Sequence, residues 1–147
     1  MDSPIKVILA DDDKDDCLLF SEVIAELPID TELTIVHDGK ELMQRLANAT
    51  IDFPDVLFLD LNMPRKDGFE CISEINVSEN LKGLPVIIFS TMYDKDIADR
   101  LYNHGAYYYM RKPSSFSALK TVMHRALAHI AVTTNSQPTR ENFELAI

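Results

Sequence analysis

Three short apolar runs each end on polar groups, and this pattern constrains the fold more than any other feature. Val56-Leu57-Phe58-Leu59 closes on Asp60 and is followed by Pro64 and Gly68. Val7-Ile8-Leu9-Ala10 closes on Asp11-Asp12-Asp13, and Val86-Ile87-Ile88-Phe89 closes on Ser90-Thr91. A continuous apolar run bounded by turn residues predicts a strand buried on both faces, the kind that parallel sheets use. Polar groups at the carboxyl ends of such strands sit where open α/β sheets hold their ligands.

Helical periodicity fills the intervals. Phe20, Val23, Ile24 and Leu27 follow the i, i+3, i+4, i+7 rhythm of an amphipathic helix, stopped by Pro28. Residues 33–37 read as a β-branched second strand. Asp38 is placed to cap a helix carrying Leu42, Met43 and Leu46. Residues 5–10, 55–59, 86–89 and 107–110 complete a set of five predicted strands. A helix over 68–75 buries Ile72 and Ile75, and one with Ile97, Ala98, Leu101 and Tyr102 ends at Gly105. Ser114 or Ser115 caps a last helix running from Phe116 to Ile130. Strict alternation of strand and helix predicts an α/β fold, a doubly wound five-stranded parallel sheet with helices on both faces. The expected strand order is 2-1-3-4-5, with the switch point between strands one and three. Asp11, Asp12 and Asp60 then share one crevice, with Ser90 and Lys112 on the same rim. Residues 1–132 form the expected domain. Residues 133–147 are polar, contain Pro138, and read as a tail; for residues 139–147 disorder is the favoured reading, a short helix packing Phe143 and Leu145 on a partner chain the alternative.

Composition narrows the partners. The chain has 147 residues, enough for one domain with a full core, and is 46% hydrophobic and 26% charged. Its net charge is −10, and its 14 Lys and Arg are scattered, which argues against nucleic acid as a direct ligand. The balance suits a divalent cation or a basic partner surface. Cys17 and Cys71 lack CxxC spacing and read as reduced thiols of a cytoplasmic protein. No apolar run approaches a membrane span, and the amino terminus carries no signal-peptide pattern.

Three converging carboxylates repel one another, and a hard cation such as Mg²⁺, which takes oxygen ligands and keeps several waters, relieves that repulsion. Lys112 offers a compact positive charge and Ser90 a hydroxyl donor. The set suits phosphoryl transfer onto Asp60, with the metal and the lysine neutralising the developing charge. Singly, each residue has a plainer reading. Ser90 alone is a turn cap and Lys112-Pro113 a loop entry. Asp13, Asp15 and Asp16 read as a solvated acidic start of the first helix, favoured by the helix dipole. Tyr107, Tyr108 and Tyr109 suit any strand, and the four histidines lack metal spacing.

Asp11-Asp12 after strand one, Leu57-Phe58-Leu59-Asp60-Leu61-Asn62-Met63-Pro64-Arg65-Lys66-Asp67-Gly68, Ser90, and Gly105-Ala106 leading to Lys112-Pro113 together resemble the receiver domain of two-component response regulators. The resemblance covers about residues 5 to 130. It implies a flavodoxin-like receiver fold and phosphorylation of Asp60 from a phosphohistidine on a sensor histidine kinase or a histidine phosphotransfer protein. It implies that Asp12 and Asp60 coordinate Mg²⁺ directly, Asn62 through its backbone carbonyl and Asp11 through water. Ser90 and Lys112 would hold the phosphoryl group, and Tyr109 matches the family's rotating aromatic switch. The Pro-Arg-Lys-Asp-Gly wording resembles the small single-domain regulators found near phytochrome-type kinases. Ser90 stands where many members carry Thr, and Met92 is apolar where faster-hydrolysing members often carry a polar residue. With only residues 131–147 beyond the domain, the expected output is a contact with an unidentified downstream protein or onward phosphotransfer. A second copy of the chain is also an admissible partner. The expected class is a phosphoacceptor signalling protein that catalyses only its own phosphorylation and dephosphorylation, not an enzyme acting on other substrates.

Rival readings fail on particular residues. An aspartyl-phosphate phosphohydrolase resembles a pattern with a second Asp two residues after the nucleophile, and Asn62 stands there. A flavodoxin-like nucleotide or flavin binder needs a phosphate loop after strand one, where Asp11-Asp12-Asp13 would repel phosphate. A receiver that folds but takes no phosphate is disfavoured by the intact acid, hydroxyl and lysine set.

Overall fold

The computed structural model describes residues 3–48, 53–132 and 136–145. Strands β1 (Ile5–Ala10), β2 (Thr31–Val36), β3 (Val56–Leu59), β4 (Val86–Ser90) and β5 (Tyr108–Arg111) alternate with helices α1 (Lys14–Glu26), α2 (Gly39–Ala47), α3 (Gly68–Val77), α4 (Lys95–Asn103) and α5 (Phe116–Val132). A 3₁₀ turn (Arg140–Asn142) and a two-residue strand, β6 (Glu144–Leu145), follow. All strand pairs are parallel, in the order β2-β1-β3-β4-β5-β6. The expected order is thus present, with one strand more than the sequence suggests.

Local chemistry explains the element ends. Asp13, Asp38, Asp67 and Asp94 each cap a helix by accepting a backbone N–H of the first turn. Asp67 and Glu70 close a full capping box at α3. Ser115 Oγ accepts from Ala118 N at 3.2 Å before α5, so Ser115 rather than Ser114 is the cap. Gly105, at φ +95°, takes the left-handed position after α4 that a Cβ would strain.

The sheet separates two cores. On one face α1 and α5 bury Phe20, Val23, Ile24, Leu119, Met123 and Leu127 against Leu9, Phe58 and Phe89. Phe20 meets Phe58 and Phe89 edge-on, with ring centroids 5.0 and 5.5 Å apart. On the other face α2, α3 and α4 bury Leu42, Leu46, Ile72, Ile75 and Leu101 against Ile8, Leu57 and Ile88. Packing on both faces leaves residues 7–10 of β1, all of β3 and residues 86–89 of β4 apolar, so that the polar residues that follow them emerge together at the carboxyl rim.

The polar tail departs from expectation. Residues 136–145 are neither disordered nor a helix awaiting a partner; they fold back on their own chain. Tyr109 N donates to Phe143 O at 2.9 Å, and β6 pairs Tyr109 with Glu144 and Met110 with Leu145. Phe143 is fully buried, edge-on to Tyr102 and Tyr109. Tyr102 Oη donates to Pro138 O at 2.7 Å, while Gln137 Nε2 donates to Tyr102 O and Ala106 O at 2.7 and 2.8 Å. Arg140 Nε pairs with Asp99 Oδ1 at 2.7 Å. The physical reason is the open edge of β5, whose unpaired backbone groups this segment satisfies. Residues 133–135 and 146–147 of the expected tail lie outside the described residues.

Candidate functional site

The rim holds its residues through the strands that deliver them. Asp11 N donates to Val36 O at 3.0 Å and Asp60 N to Ala10 O at 2.9 Å, so both acids stay in register beyond the last paired residues of β1 and β3. Asp11, Asp12 and Asp60 each offer a carboxylate oxygen within 4.8 Å of the others. Asp11 and Asp60 are buried, while Asp12 is exposed. The loop after Asp60 returns tightly to start α3, and Gly68 N donates to Leu61 O at 3.0 Å. A Cβ on Gly68 would lie 2.3 Å from Asp60 O, so only glycine lets α3 begin this close to the acid. Asn62 is exposed in the same loop.

Lys112 enters from the end of β5, tied to β4 by its own N–H, which donates to Ser90 O at 2.9 Å. Its Nζ lies 2.8 Å from Asp11 Oδ2, 2.8 Å from Asp16 Oδ2 and 3.3 Å from Asp60 Oδ2. Asp60 Oδ1 accepts from Leu61 N at 2.8 Å, and Asp11 Oδ1 from Asp13 N at 3.0 Å. Asp11 Oδ2 is buried and accepts no directed hydrogen bond, although the Lys112 ammonium stands 2.8 Å from it. Burial, then the Asp11 charge, pushes the Asp60 carboxyl up from 3.8 to about 6 against the opposing pull of Lys112. Burial alone would lower Lys112, but its close contacts with Asp11 and Asp16 and the charges of Asp11 and Asp60 raise it above the ordinary lysine value. The ammonium therefore stays charged throughout the neutral range.

Such an arrangement fits a divalent cation. A buried carboxylate oxygen without a hydrogen bond and three acids sharing a small volume are the donor set a hard cation takes. Ser90 is buried two residues from Met92, whose N–H it accepts on Oγ at 3.1 Å. The Met92 carbonyl in turn accepts from Tyr109 Oη. Tyr109 is buried, edge-on to Tyr93 at 5.5 Å, and burial pushes its phenol up to about 12.

The chain matches the response regulator receiver domain over residues 7–124. It belongs to that family. Among curated relatives, response regulator Rcp1 of Synechocystis sp. is 36% identical over 97 residues, covering 63% of this chain and 66% of Rcp1. Among solved structures, the phosphorylated cyanobacterial phytochrome response regulator RcpA superposes with a TM-score of 0.82 at 30% identity, over 93% of this chain and all of RcpA. The Mn²⁺-bound form of Rcp1 gives 0.77 at 30% identity, over 92% of this chain and 100% of that one. This receiver thus shares its fold with single-domain response regulators of two-component signalling.

The receiver brings Asp11, Asp12, Asp60 and Lys112 together at the expected rim, with Ser90 on the adjoining strand end. One residue was misplaced by sequence reasoning. Asp16 is not a solvated helix acid: its carboxylate reaches Lys112. Asp16 precedes buried Cys17 by one residue and buried Phe20 by four, so helical spacing does place it at the border of the packed face of α1. Cys17 itself is inert; burial, then Asp11, pushes its thiol up to about 11, and its Sγ donates to Asp11 O at 3.4 Å. Among the described residues no helix is long and apolar enough to cross a membrane.

Proposed function

We propose that this receiver accepts a phosphoryl group on Asp60 from a phosphohistidine of a sensor histidine kinase or histidine phosphotransfer protein. The observation that carries the reading is a buried Asp60 carboxylate with Lys112 Nζ 3.3 Å from Oδ2 and two further acids within cation-sharing distance. An Asp60 oxygen attacks phosphorus, a P–O bond forms, the P–N bond breaks, and the histidine nitrogen leaves with the electron pair. Asp11, Asp12, Asp60 and the Asn62 carbonyl are the residues that would hold Mg²⁺, which when bound supplies charge neutralisation for the transferring group. Lys112 offsets charge on the other side of the phosphoryl group, and Ser90 donates its hydroxyl to it. The chain catalyses only its own phosphorylation and dephosphorylation. Its place is the cytoplasm, beside such kinases; the likeness to RcpA, a phytochrome response regulator, favours a kinase of the phytochrome type.

The signal leaves through Ser90 and Tyr109. When the Ser90 hydroxyl turns to the phosphoryl group, the Met92 N–H loses its acceptor, and the loop that receives Tyr109 Oη shifts. Tyr109 then rotates and alters the face formed by α4, β5 and residues 136–145. The receiver unit is residues 1–132 and residues 133–147 are its appendage, of which residues 136–145, packed on β5, are read by a downstream protein or a second copy of the chain rather than by nucleic acid. Intact mass after incubation with Mg²⁺ and a small acyl phosphate tests the acceptor. The expected result is one added phosphate, absent in Asp60→Ala; equal labelling of both proteins would overturn the assignment.

A further inference from the structure

We propose that Asp16 is a positioning residue for this chemistry, holding the Lys112 ammonium beside Asp60 while Asp11 and Asp60 change partners. The inference rests on the phosphoacceptor reading above. Lys112 carries three N–H donors and meets three carboxylates. They are not equivalent. The Asp16 contact is a directed hydrogen bond at 2.8 Å, the Asp60 bond is longer at 3.3 Å, and Asp11 Oδ2 faces the ammonium without a directed bond.

Asp11 and Asp60 also belong to the acid trio that can share a cation, whereas Asp16 stands outside it. A cation held by that trio would draw on the charge of both acids and repel the ammonium across the site. Asp16 is then the one partner of Lys112 that the cation does not engage. The carboxylate sits on a rigid element. Asp16 N donates to the Asp13 cap at 3.0 Å, and the next turn of α1 is buried through Cys17 and Phe20. With Asp16 fixed, Lys112 can pass one N–H from Asp60 to a phosphoryl oxygen while keeping another on Asp16. A long, four-bond side chain thus needs no new rotamer as charge develops on the transferring group.

The test compares Asp16→Asn, Asp16→Glu and Asp15→Asn, the last removing the same charge from an exposed neighbour. With Mg²⁺ and an acyl phosphate, Asp16→Asn is expected to lower the maximal phosphorylation rate about tenfold, with the half-saturating donor concentration unchanged within about twofold. Asp16→Glu is expected to recover most of that loss, and Asp15→Asn to stay within about twofold of the parent rate. A second measurement needs no phosphate: the ¹⁵Nζ resonance of Lys112 is expected to stay protected from exchange on adding Mg²⁺ to the parent and to Asp15→Asn, and to lose that protection in Asp16→Asn. An Asp16→Asn rate equal to the parent's, an equal loss in Asp15→Asn, or an unchanged Lys112 resonance overturns the role. A parent protein that gains no phosphate overturns the phosphoacceptor reading, and this role with it. A phosphorylated parent beside an unaffected Asp16→Asn overturns this role alone.

Discussion

The carboxyl rim of the sheet and its β5 edge are built on opposite principles. At the rim, three acids are held together against their mutual repulsion, and one buried oxygen, Asp11 Oδ2, has no hydrogen bond. At the edge, residues 136–145 satisfy what they cover: backbone pairs to β5, a Tyr102–Pro138 hydrogen bond, and Phe143 sealed between two tyrosines. The rim is a region of stored electrostatic cost that a cation can relieve, whereas the edge is a region of ordinary packing. Between them lies a short chain of contacts, Ser90 to Met92 to Tyr109 to Phe143, in which each link is a hydrogen bond or a ring contact. Substitutions should therefore act with opposite signs on the two sides.

The largest effect is expected at the edge. Phe143→Ala removes a fully buried ring and should cost about 3 kcal/mol, near the lower end for such truncations because a terminal segment can partly lift rather than leave a rigid cavity. Urea unfolding measures the loss, and amide exchange at Tyr109, whose N–H is held by Phe143 O, locates it. Unchanged protection at Tyr109 would mean that the strand pairing does not depend on the ring, and would break the contrast at its stronger end.

The rim should respond the other way. In metal-free protein the folded state holds the Asp60 proton more tightly than the unfolded chain, about 6 against 3.8. The folded state therefore loses stability through this group as pH rises across that window, and the loss is complete near pH 7. Asp60→Asn should then stabilise metal-free protein by about 1–3 kcal/mol at pH 7, and by almost nothing at pH 4, where the carboxyl is already neutral. The same substitution should shrink the rise in melting temperature that Mg²⁺ gives the parent. Thermal melts at the two pH values, with Mg²⁺ and with chelator, decide it. A destabilised Asp60→Asn at pH 7 would show that the Lys112 pairing outweighs the repulsion.

These two regions were also unequally legible in the sequence. Asp11, Asp60 and Ser90 follow apolar runs too regular to be anything but buried parallel strands, and parallel packing forces their ends onto one rim. Alternation implied the parallel sheet, and placing strand one at its centre gave the order of the first five strands. Asp16 was misread because acids in a first helical turn have a sufficient local explanation in the dipole, and the contact that matters crosses 96 positions to Lys112. The edge was illegible for a different reason. A two-residue strand shows no periodicity, and Phe143 stands alone between Asn142 and Glu144. What orders them is the unpaired side of β5, a property of the assembled sheet rather than of the local sequence.

The smallest expected effect lies at Met92, where the two regions meet. Its backbone serves both, donating to Ser90 Oγ and accepting from Tyr109 Oη, while its half-buried side chain packs on the core beside the rim. With the proposed phosphoryl group on Asp60, the thioether would offer an attacking water no useful hydrogen bond. A carboxylate at this position could orient that water without disturbing either backbone contact. Met92→Glu should therefore shorten the phosphoryl lifetime by about threefold, less than 1 kcal/mol in barrier height. Edge stability should be untouched, since Phe143 and its partners keep their packing. Decay followed by native mass spectrometry gives the first quantity, and amide exchange at Tyr109 the second. A faster decay with unchanged protection would place control of lifetime at the rim alone. A slower decay would mean that added negative charge near Asp60 repels the attacking water more than it orients it. Loss of protection at Tyr109 would show that the Met92 side chain, and not only its backbone, couples the rim to the edge.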